Sequence, residues 1–200
     1  MTRSRRRGNE LEAAVYSAAR QILKDKGFAE LTFANVATLA QTSKPVIYRH
    51  WESPFELALL AIQDQIEKDN EGTIEQLKLT GDSLQEDLLQ TLMRFRKSMD
   101  AYGQAFLNTY SDLNEAYTTQ LQSMLISFRD ADIHAINKVL TRAQARNEIA
   151  RTDLDDMITM LPFDWIRIQY LYNQPVDDAM LTKFVATVLM PAYTSALNAE

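Results

Sequence analysis

Cysteine is absent from this 200-residue chain, and histidine occurs only twice. The missing cysteine excludes a disulfide framework, a thiol nucleophile and every zinc site that uses thiolate ligands. Neither His50 nor His134 has a second histidine at the one-turn spacing that places two metal ligands on one helix face. We therefore expect no metal ion and no cofactor.

Catalytic motifs are missing as well. The chain contains no Gly-rich phosphate loop, no Gly-x-Ser-x-Gly and no His-Glu-x-x-His. Asp153, Asp155 and Asp156 form an acidic cluster, but at a predicted helix start the helix dipole explains them. The sequence does not indicate an enzyme.

Long apolar runs are also lacking. The basic N-terminus is not followed by an apolar stretch, and no uninterrupted apolar run reaches the length of about 18 residues that a spanning helix needs. Apolar residues make up 46% of the chain, which is enough for a buried core. We expect a globular, cytoplasmic protein without membrane contact.

Charge is distributed unevenly along the chain. Residues 1–51 contain nine Lys and Arg against four Asp and Glu, whereas residues 52–200 contain twelve against twenty-three. A basic head suits a polyanionic partner, and an acidic body would be repelled by it. The alternative is a solvated imbalance of charge without functional consequence.

The first eight residues are polar and show no apolar periodicity, so we expect them to be disordered in isolation. They contain four arginines, which are Arg3, Arg5, Arg6 and Arg7. Beside a DNA-binding helix, such an arm can enter the adjacent minor groove. A solubilising tail is the equal alternative.

Apolar residues recur at helical spacing along the rest of the chain, and no strand signal competes with them. A first helix is predicted from Asn9 to Lys26, with Gly27 as its left-handed C-terminal cap. Later helices are predicted to begin at Ser53, Ser83, Ser111, Thr152 and Asp177. The prediction is an all-α fold, with residues 70–82 as an irregular joint.

Residues 32–57 organise the chain. Thr32 is a good N-cap for a short helix, and after a turn at Gln41 Ser43 can cap a second one with Pro45 in its first turn. The second helix carries a density of cations and hydrogen-bonding groups that suits a groove lined by phosphates. These side chains are Lys44, Tyr48, Arg49 and His50.

The run Ser43-Lys44-Pro45-Val46-Ile47-Tyr48-Arg49-His50-Trp51 resembles the recognition-helix signature of the tetracycline-repressor (TetR) family, in which Tyr-x-His-aromatic closes a helix-turn-helix. The resemblance is strong over roughly residues 9–65 and topological beyond. It implies phosphate contacts by Thr32, Tyr48 and His50, to which we add Ser43. It implies that the following residues face the bases: Lys44, Pro45, Val46 and Arg49. Two positions depart from the family pattern, since Gln41 stands where Gly is common and Pro54 where Lys often opens the fourth helix.

The resemblance and the apolar pattern together predict two domains: a three-helix DNA-binding head at residues 1–52, and an antiparallel helical body at residues 53–200 for ligand binding and dimerisation. The last two helices are apolar on more than one side, so we expect a second copy to cover them. The predicted interface residues are Leu161, Trp165, Ile168, Phe184, Val188 and Tyr193.

Aromatic and Met side chains are concentrated in the body, where the resemblance implies a small-molecule site. A plain core is the alternative for each of them. The candidate lining residues are Phe95, Met99, Tyr102, Phe106, Tyr110, Tyr117, Met124, Phe128, Met160 and Trp165. Such a lining suits a lipophilic or aromatic effector, and Asp100 or Asp164 would favour a cationic one.

We therefore expect a homodimeric transcriptional regulator that binds a palindromic double-stranded DNA operator, represses, and is released by a small molecule. The alternative is a helical interaction or adaptor protein whose head is only structural and has no preference among DNA sequences.

Overall fold

The computed structural model describes residues 8–73, 76–103 and 118–198. These residues contain helices, turns and no strand, which confirms the predicted all-α fold. The described residues form two compact units, the first at residues 8–69 and 118–120 and the second at residues 70–73, 76–103 and 121–198. The predicted arginine arm lies outside the described residues.

The first unit contains four helices: α1 (Gly8–Lys26), α2 (Phe33–Leu39), α3 (Lys44–His50) and α4 (Pro54–Asp69). Its core is formed by fully buried side chains from all four, among them Val15, Val36, Ile47 and Leu57. α1 packs along α4. The compact unit therefore extends to Asp69, whereas the predicted head ends at residue 52, and that boundary as a functional division stays a prediction.

A polar clamp reinforces the packing of α1 on α4. Nη1 of Arg20 donates to the backbone oxygen of Ala61 over 2.8 Å and to Oδ2 of Asp64 over 3.0 Å. The same carboxylate accepts a 2.7 Å hydrogen bond from Lys68, one turn further along α4. The half-buried ion pair fixes the register of the two helices.

Gly27 ends α1 with φ of 80°, and its amide donates to the oxygen of Leu23 over 3.2 Å. Its ψ of 178° lies outside the left-handed helical region, so the predicted left-handed cap is wrong. The chain leaves α1 extended and enters a short 3-10 turn, Phe28–Glu30. The ring of Phe28 then packs edge-to-face against Phe55 of α4, with 5.9 Å between centroids.

The second unit contains α5 (Leu84–Ser98), most of α6 (Thr118–Ala145), α7 (Asp156–Leu171), α8 (Asp178–Phe184) and α9 (Met190–Asn198). α5 continues into a π-helical turn, Met99–Gly103. Buried residues of α5, α6, α7, α8 and α9 form one core. Fully buried members include Leu88, Leu140, Phe163, Leu181 and Tyr193.

The last two predicted helices differ in detail from their sequence pattern. α7 starts at Asp156 and not near Thr152, because the side chain of Asp155 caps it by accepting from the amide of Met157 over 2.8 Å. Asp177 caps α8 as predicted, accepting from Met180 over 2.7 Å. Between α8 and α9 the helix widens into a π turn, Val185–Leu189. Pro191, the second residue after this turn, has no amide hydrogen to continue regular bonding.

The described part of residues 70–82 contains no α-helix, as expected for a joint, but it is fastened to α5 and α6 by side chains. Cationic groups donate to three of its backbone oxygens at 2.7–2.9 Å. The pairs are Arg94 to Gly72, Lys138 to Leu77 and Arg142 to Gly81. We call this stretch the laced segment.

Candidate nucleic-acid interface

Thr32 caps α2 with its hydroxyl oxygen. Oγ1 accepts a 3.1 Å hydrogen bond from the amide of Asn35, and the backbone of Thr32 is extended, as an N-cap requires. The residue is exposed. The hydroxyl proton is not needed for the cap, so it can be donated outward to a phosphate oxygen.

The turn between α2 and α3 is a Schellman motif centred on Gln41. The amide of Gln41 donates to Thr38 over 3.3 Å, and the amide of Thr42 donates to Ala37 over 2.9 Å. Gln41 itself has φ of 54°, in the left-handed region. The turn ends α2 abruptly and lets α3 begin after two further residues.

Ser43 occupies the predicted N-cap position of α3 with an extended backbone, but its side chain makes no capping hydrogen bond. The cap position is confirmed, whereas the predicted side-chain cap is wrong. Pro45 lies in the first turn, where its missing amide hydrogen costs no helical bond. The hydroxyl of Ser43 is therefore not committed to its own helix.

α3 buries one residue and presents most of the others to solvent. Ile47 is fully buried and anchors the helix to the core of the first unit. Val46 is half-buried. The exposed predicted contacts on α3 are Lys44, Pro45, Tyr48, Arg49 and His50. With Thr32 and Ser43, the structure brings all eight predicted DNA contacts onto α3 and the two capping positions beside it.

The ring of Tyr48 is supported from below, although the residue is 65% exposed. Phe33, buried in α2, contacts it edge-to-face with 4.7 Å between ring centroids. This contact limits the directions in which the phenol can point and leaves its hydroxyl in solvent. Phe33 is not among the predicted site residues, because an apolar side chain at helical spacing indicates only a core position.

The positive charges of α3 are not neutralised within the head. Among the described residues, neither Lys44 nor Arg49 makes an ion pair or a side-chain hydrogen bond. A cationic side chain that has no internal partner keeps its full attraction for phosphates and base edges. The helix is therefore a cationic surface held on a rigid support.

The C-terminal end of α3 is fixed by Trp51 and by the start of α4. Trp51 is buried and contacts the ring of Tyr16 at 5.9 Å. Burial, and then a hydrogen bond with Glu12, raises the pKa of Tyr16 to about 12, so its hydroxyl remains neutral. Ser53 caps α4 by accepting from Glu56 over 3.0 Å, which confirms the predicted capping role and lets Pro54 begin the helix.

Two short helices joined by a Schellman turn, with the second one cationic and exposed, define a helix-turn-helix protein of the DNA-binding class. Comparison with known proteins agrees with this geometry. Residues 15–59 match the family described as bacterial regulatory proteins, tetR family, and residues 80–188 match the tetracyclin repressor-like C-terminal domain. The chain belongs to the TetR family. It is a DNA-binding transcriptional regulator and not an enzyme.

Individual relatives match the chain over most of its length or over about half of it. A DNA-binding transcriptional repressor TetR of Mycobacteroides abscessus is 28% identical over 188 residues, which cover 92% of this chain and 94% of that protein. An HTH-type transcriptional activator FasR of Mycolicibacterium smegmatis is 29% identical over 102 residues, covering 48% and 43%. Among solved structures, Salmonella enterica GusR superimposes with a TM-score of 0.65 at 19% identity, covering 98% of this chain and 99% of that one, which supports the fold.

The predicted effector-site residues in the body contribute to internal packing where they are described. Met160 lies in the core, and Phe95, Met99 and Trp165 pack against it. Phe128 is half-buried on α6. Three further predicted residues lie outside the described residues: Phe106, Tyr110 and Tyr117. For Tyr102 and Met124 the structure describes the backbone but not the side chain. The lining of an effector site stays a prediction.

Phe95 lies at the centre of an aromatic and charged cluster. Its ring contacts Phe163 edge-to-face at 4.9 Å, and the guanidinium of Arg167 lies 5.0 Å from its centroid. Arg167 also donates a hydrogen bond to the carboxylate of Asp132, a residue that is only 6% exposed. Burial raises the pKa of Asp132 from 3.8 to about 6, and the charge of Arg167 opposes that shift.

The two carboxylates considered for a cationic effector already have cationic neighbours. Asp100 accepts from Arg96 over 2.7 Å and also from the hydroxyl of Tyr170. Asp164 accepts from Arg167 over 3.2 Å. Desolvation, followed by the hydrogen bond to Asp100, raises the pKa of Tyr170 above its ordinary value. Both cationic partners lie on the same helical stretch as the carboxylate they contact, and they reduce the case for selection of a cationic effector.

The predicted dimer residues divide into an exposed and a buried set. Leu161, Ile168 and Val188 are 37%, 38% and 41% exposed, and Trp165 is half-buried. Trp165 stacks on Phe184 with 4.1 Å between ring centroids. Phe184 is 9% exposed. Tyr193 is fully buried inside its own chain, and burial raises its pKa, so its side chain supports α9 and is not available to a second copy.

A surface cavity of about 350 Å³ lies between α6 and the start of α7. The cavity is lined by Ile133, Asn137, Thr141, Thr152, Asp153, Leu154, Asp156 and Thr159. None of the ten predicted effector-site residues is among them. It is a polar groove and does not resemble the apolar enclosure expected for a lipophilic effector.

One described stretch, Asp178–Asn198, is long and apolar enough to cross a bilayer by length and composition. Five of its side chains, spaced along one face, lie in the core of the second unit, as in the core helix of a water-soluble protein: Leu181, Val185, Leu189, Tyr193 and Leu197. Within the described residues no cluster of His, Asp and Glu has the composition of a metal site.

Proposed function

We propose that the protein is a cytoplasmic homodimeric repressor that binds a palindromic operator and is released by a small lipophilic or aromatic effector. The observation that carries this proposal is the exposed cationic surface of α3, whose Lys44 and Arg49 have no described internal partner. The basic head and acidic body add to it, because they orient the head towards a polyanion.

Each recognition helix enters a major groove in this proposal. Lys44 and Arg49 donate to guanine edges, Pro45 packs against the bases, and Val46 contacts a thymine methyl group. The groups that hold phosphates are the hydroxyls of Thr32, Ser43 and Tyr48 and the imidazole of His50. The uncommitted hydroxyl of Ser43 and the supported phenol of Tyr48 are consistent with those roles.

Dimerisation through α7 and α8 is supported by exposed apolar side chains, of which α8 contributes Met180 at 39% exposure. On α7 the residues Met157, Leu161, Ile168 and Leu171 are 80%, 37%, 38% and 58% exposed. Large apolar surfaces of this kind are usually covered by a partner. A two-fold axis through them pairs the two heads and requires an operator of two inverted half-sites about one helical turn, or a multiple of it, apart.

The direction of regulation is proposed from the relative named a repressor, which matches over almost its whole length, whereas the relative named an activator matches over less than half. Release by an effector rests on the aromatic composition of the body. The effector acts only to the extent that it binds one separation of the heads more tightly than the other.

Selection of duplexes from a random DNA pool by the purified protein, followed by sequencing, tests operator binding. The matched control is the double substitution Lys44→Ala with Arg49→Ala, which removes both cations from the exposed surface and leaves the buried Ile47 anchor in place. Enrichment of an inverted repeat by the wild type and not by the control supports the proposal. Equal recovery of unenriched DNA by both proteins favours the adaptor alternative.

A further inference from the structure

Gln41 has an unusual combination of backbone and side chain. It lies at the C′ position of the Schellman turn with φ of 54°. That position is normally filled by Gly, or by Asn, because other residues bring Cβ close to the carbonyl oxygen in a left-handed conformation. This chain therefore has a long side chain at a backbone position where glycine, which has no side chain, would be more stable.

The side chain of Gln41 is not used to stabilise the turn. The two hydrogen bonds of the motif are made by backbone amides, those of Gln41 and Thr42. Gln41 is exposed, and no described residue makes a hydrogen bond to its carboxamide. The left-handed backbone conformation therefore costs free energy that the side chain of Gln41 does not offset by any hydrogen bond within the described part of the head.

The position of Gln41 in the chain places its side chain next to the proposed DNA-binding surface. Gln41 lies two residues before Ser43, the N-cap of α3. Helix-turn-helix proteins place the N-terminal end of the recognition helix against the bases. A carboxamide carries two donors for phosphate oxygens, and both a donor and an acceptor for an adenine edge. No acidic residue occurs from Thr32 to Trp51, so nothing nearby repels DNA from this side chain.

We propose that Gln41 is a further DNA contact, in which its carboxamide binds the operator at the edge of the surface formed by α3. The inference rests on the proposed operator binding. It assigns to the turn itself a part in recognition, in addition to the residues of the helix. Glycine at position 41 would then increase the stability of the fold, whereas glutamine increases the affinity for DNA.

Three variants separate the side chain from the backbone. Gln41→Gly removes both the carboxamide and the strain, so we expect a higher midpoint of thermal unfolding together with weaker binding. Gln41→Glu keeps the size and the strain but replaces the donors by a charge that phosphates repel. Asn173→Gly is the matched control, since Asn173 is an exposed body residue with the same φ of 54°.

Binding is measured by fluorescence anisotropy on the most enriched duplex from the selection experiment. We expect both Gln41 variants to lose about 3- to 10-fold in affinity, the range of one net hydrogen bond, and Asn173→Gly to bind as the wild type does. A loss confined to duplexes with one particular base identifies a base edge, and an equal loss on all duplexes identifies a phosphate; both support the contact.

Unchanged or tighter binding by Gln41→Gly overturns the inference. A loss in Gln41→Gly without one in Gln41→Glu also overturns it, because backbone order and not the carboxamide would then be responsible. These outcomes differ from failure of the proposed function, in which the wild type itself selects no operator.

Discussion

The carboxylate of Asp87, fully buried in α5, accepts a 2.8 Å hydrogen bond from Nε of Arg142, which lies 55 positions away on α6. The same oxygen accepts from Arg146 over 3.0 Å, and the other carboxylate oxygen accepts from the amide of Gly81 over 3.1 Å. The buried charge is thus paired and hydrogen-bonded on both sides, the condition under which burial of a carboxylate is tolerated.

Replacing Asp87 by Ala leaves two guanidinium groups without their common acceptor. We expect the free energy of unfolding to fall by about 3–5 kcal/mol, the range for removal of one partner from a buried pair. Urea unfolding followed by circular dichroism measures this loss. Asp82→Ala, at a neighbouring exposed carboxylate, is the control and should change stability by no more than about 0.5 kcal/mol. A similar loss in both variants would contradict the role of the buried pair.

Asp132 gives the stability of the protein a predictable dependence on pH. Burial raises its pKa from 3.8 to about 6, so between about pH 4 and pH 6 the folded protein keeps a proton that the unfolded chain releases. The free energy of unfolding therefore falls as the pH rises through this window. A shift of about two pKa units corresponds to about 3 kcal/mol at most.

Asp132→Asn removes this titration and keeps an oxygen that can accept from Arg167. We expect the stability advantage of the wild type over the variant to be smaller at pH 7 than at pH 4. Chemical denaturation at a series of pH values measures the difference. Identical pH profiles for the two proteins would show that Asp132 does not titrate in the folded state within this window.

Arg49 and Tyr48 should have different effects on DNA recognition. Arg49→Ala should relax base preference at one operator position, at a cost of about 1–3 kcal/mol. Tyr48→Phe keeps the ring contact with Phe33 and loses only the hydroxyl, so affinity should fall similarly on all sequences without a change in stability. Binding of both variants to a set of single-base operator variants tests this distinction. The helix assignment is wrong if both leave affinity and its salt dependence unchanged.

Ile168 provides a test of the dimer surface. Ile168→Glu places a charge on the exposed apolar face of α7, so we expect a monomer with weakened operator binding, because each monomer has only one recognition helix. Analytical ultracentrifugation measures the mass. Ile126→Glu, at a 60% exposed position of α6 outside the proposed surface, should remain dimeric. A dimer formed by the Ile168 variant would move the interface elsewhere.

Local signals in the sequence predicted the helix-turn-helix well. A cap depends on residues three positions apart, and Thr32, Ser53 and Asp177 all have the predicted capping bonds. The start of α7 was predicted less well, at Thr152. Asp155 caps this helix instead, and in the preceding stretch the amide of Leu154 donates to the backbone oxygen of Thr152 over 3.0 Å.

Long-range relationships could not be predicted in the same way. Nothing in a helical pattern connects Asp87 with Arg142, or Asp132 with Arg167, since each pair joins two different helices. The last helix was apolar on several sides, so its periodicity could not separate Tyr193, which lies in the core, from Val188, which is exposed. That separation requires the packing of the neighbouring helices.

The laced segment has a practical consequence for the engineering of chimeric regulators. Its path depends on side chains of α5 and α6, so it belongs with the body when heads and bodies of different relatives are recombined. A crossover at Asp69, the last residue of the N-terminal stretch of the first compact unit, preserves every one of these cation-to-carbonyl bonds. A junction further along the chain would combine this segment with α5 and α6 of a different relative. The cationic side chains of those helices would not be positioned to donate to its backbone oxygens.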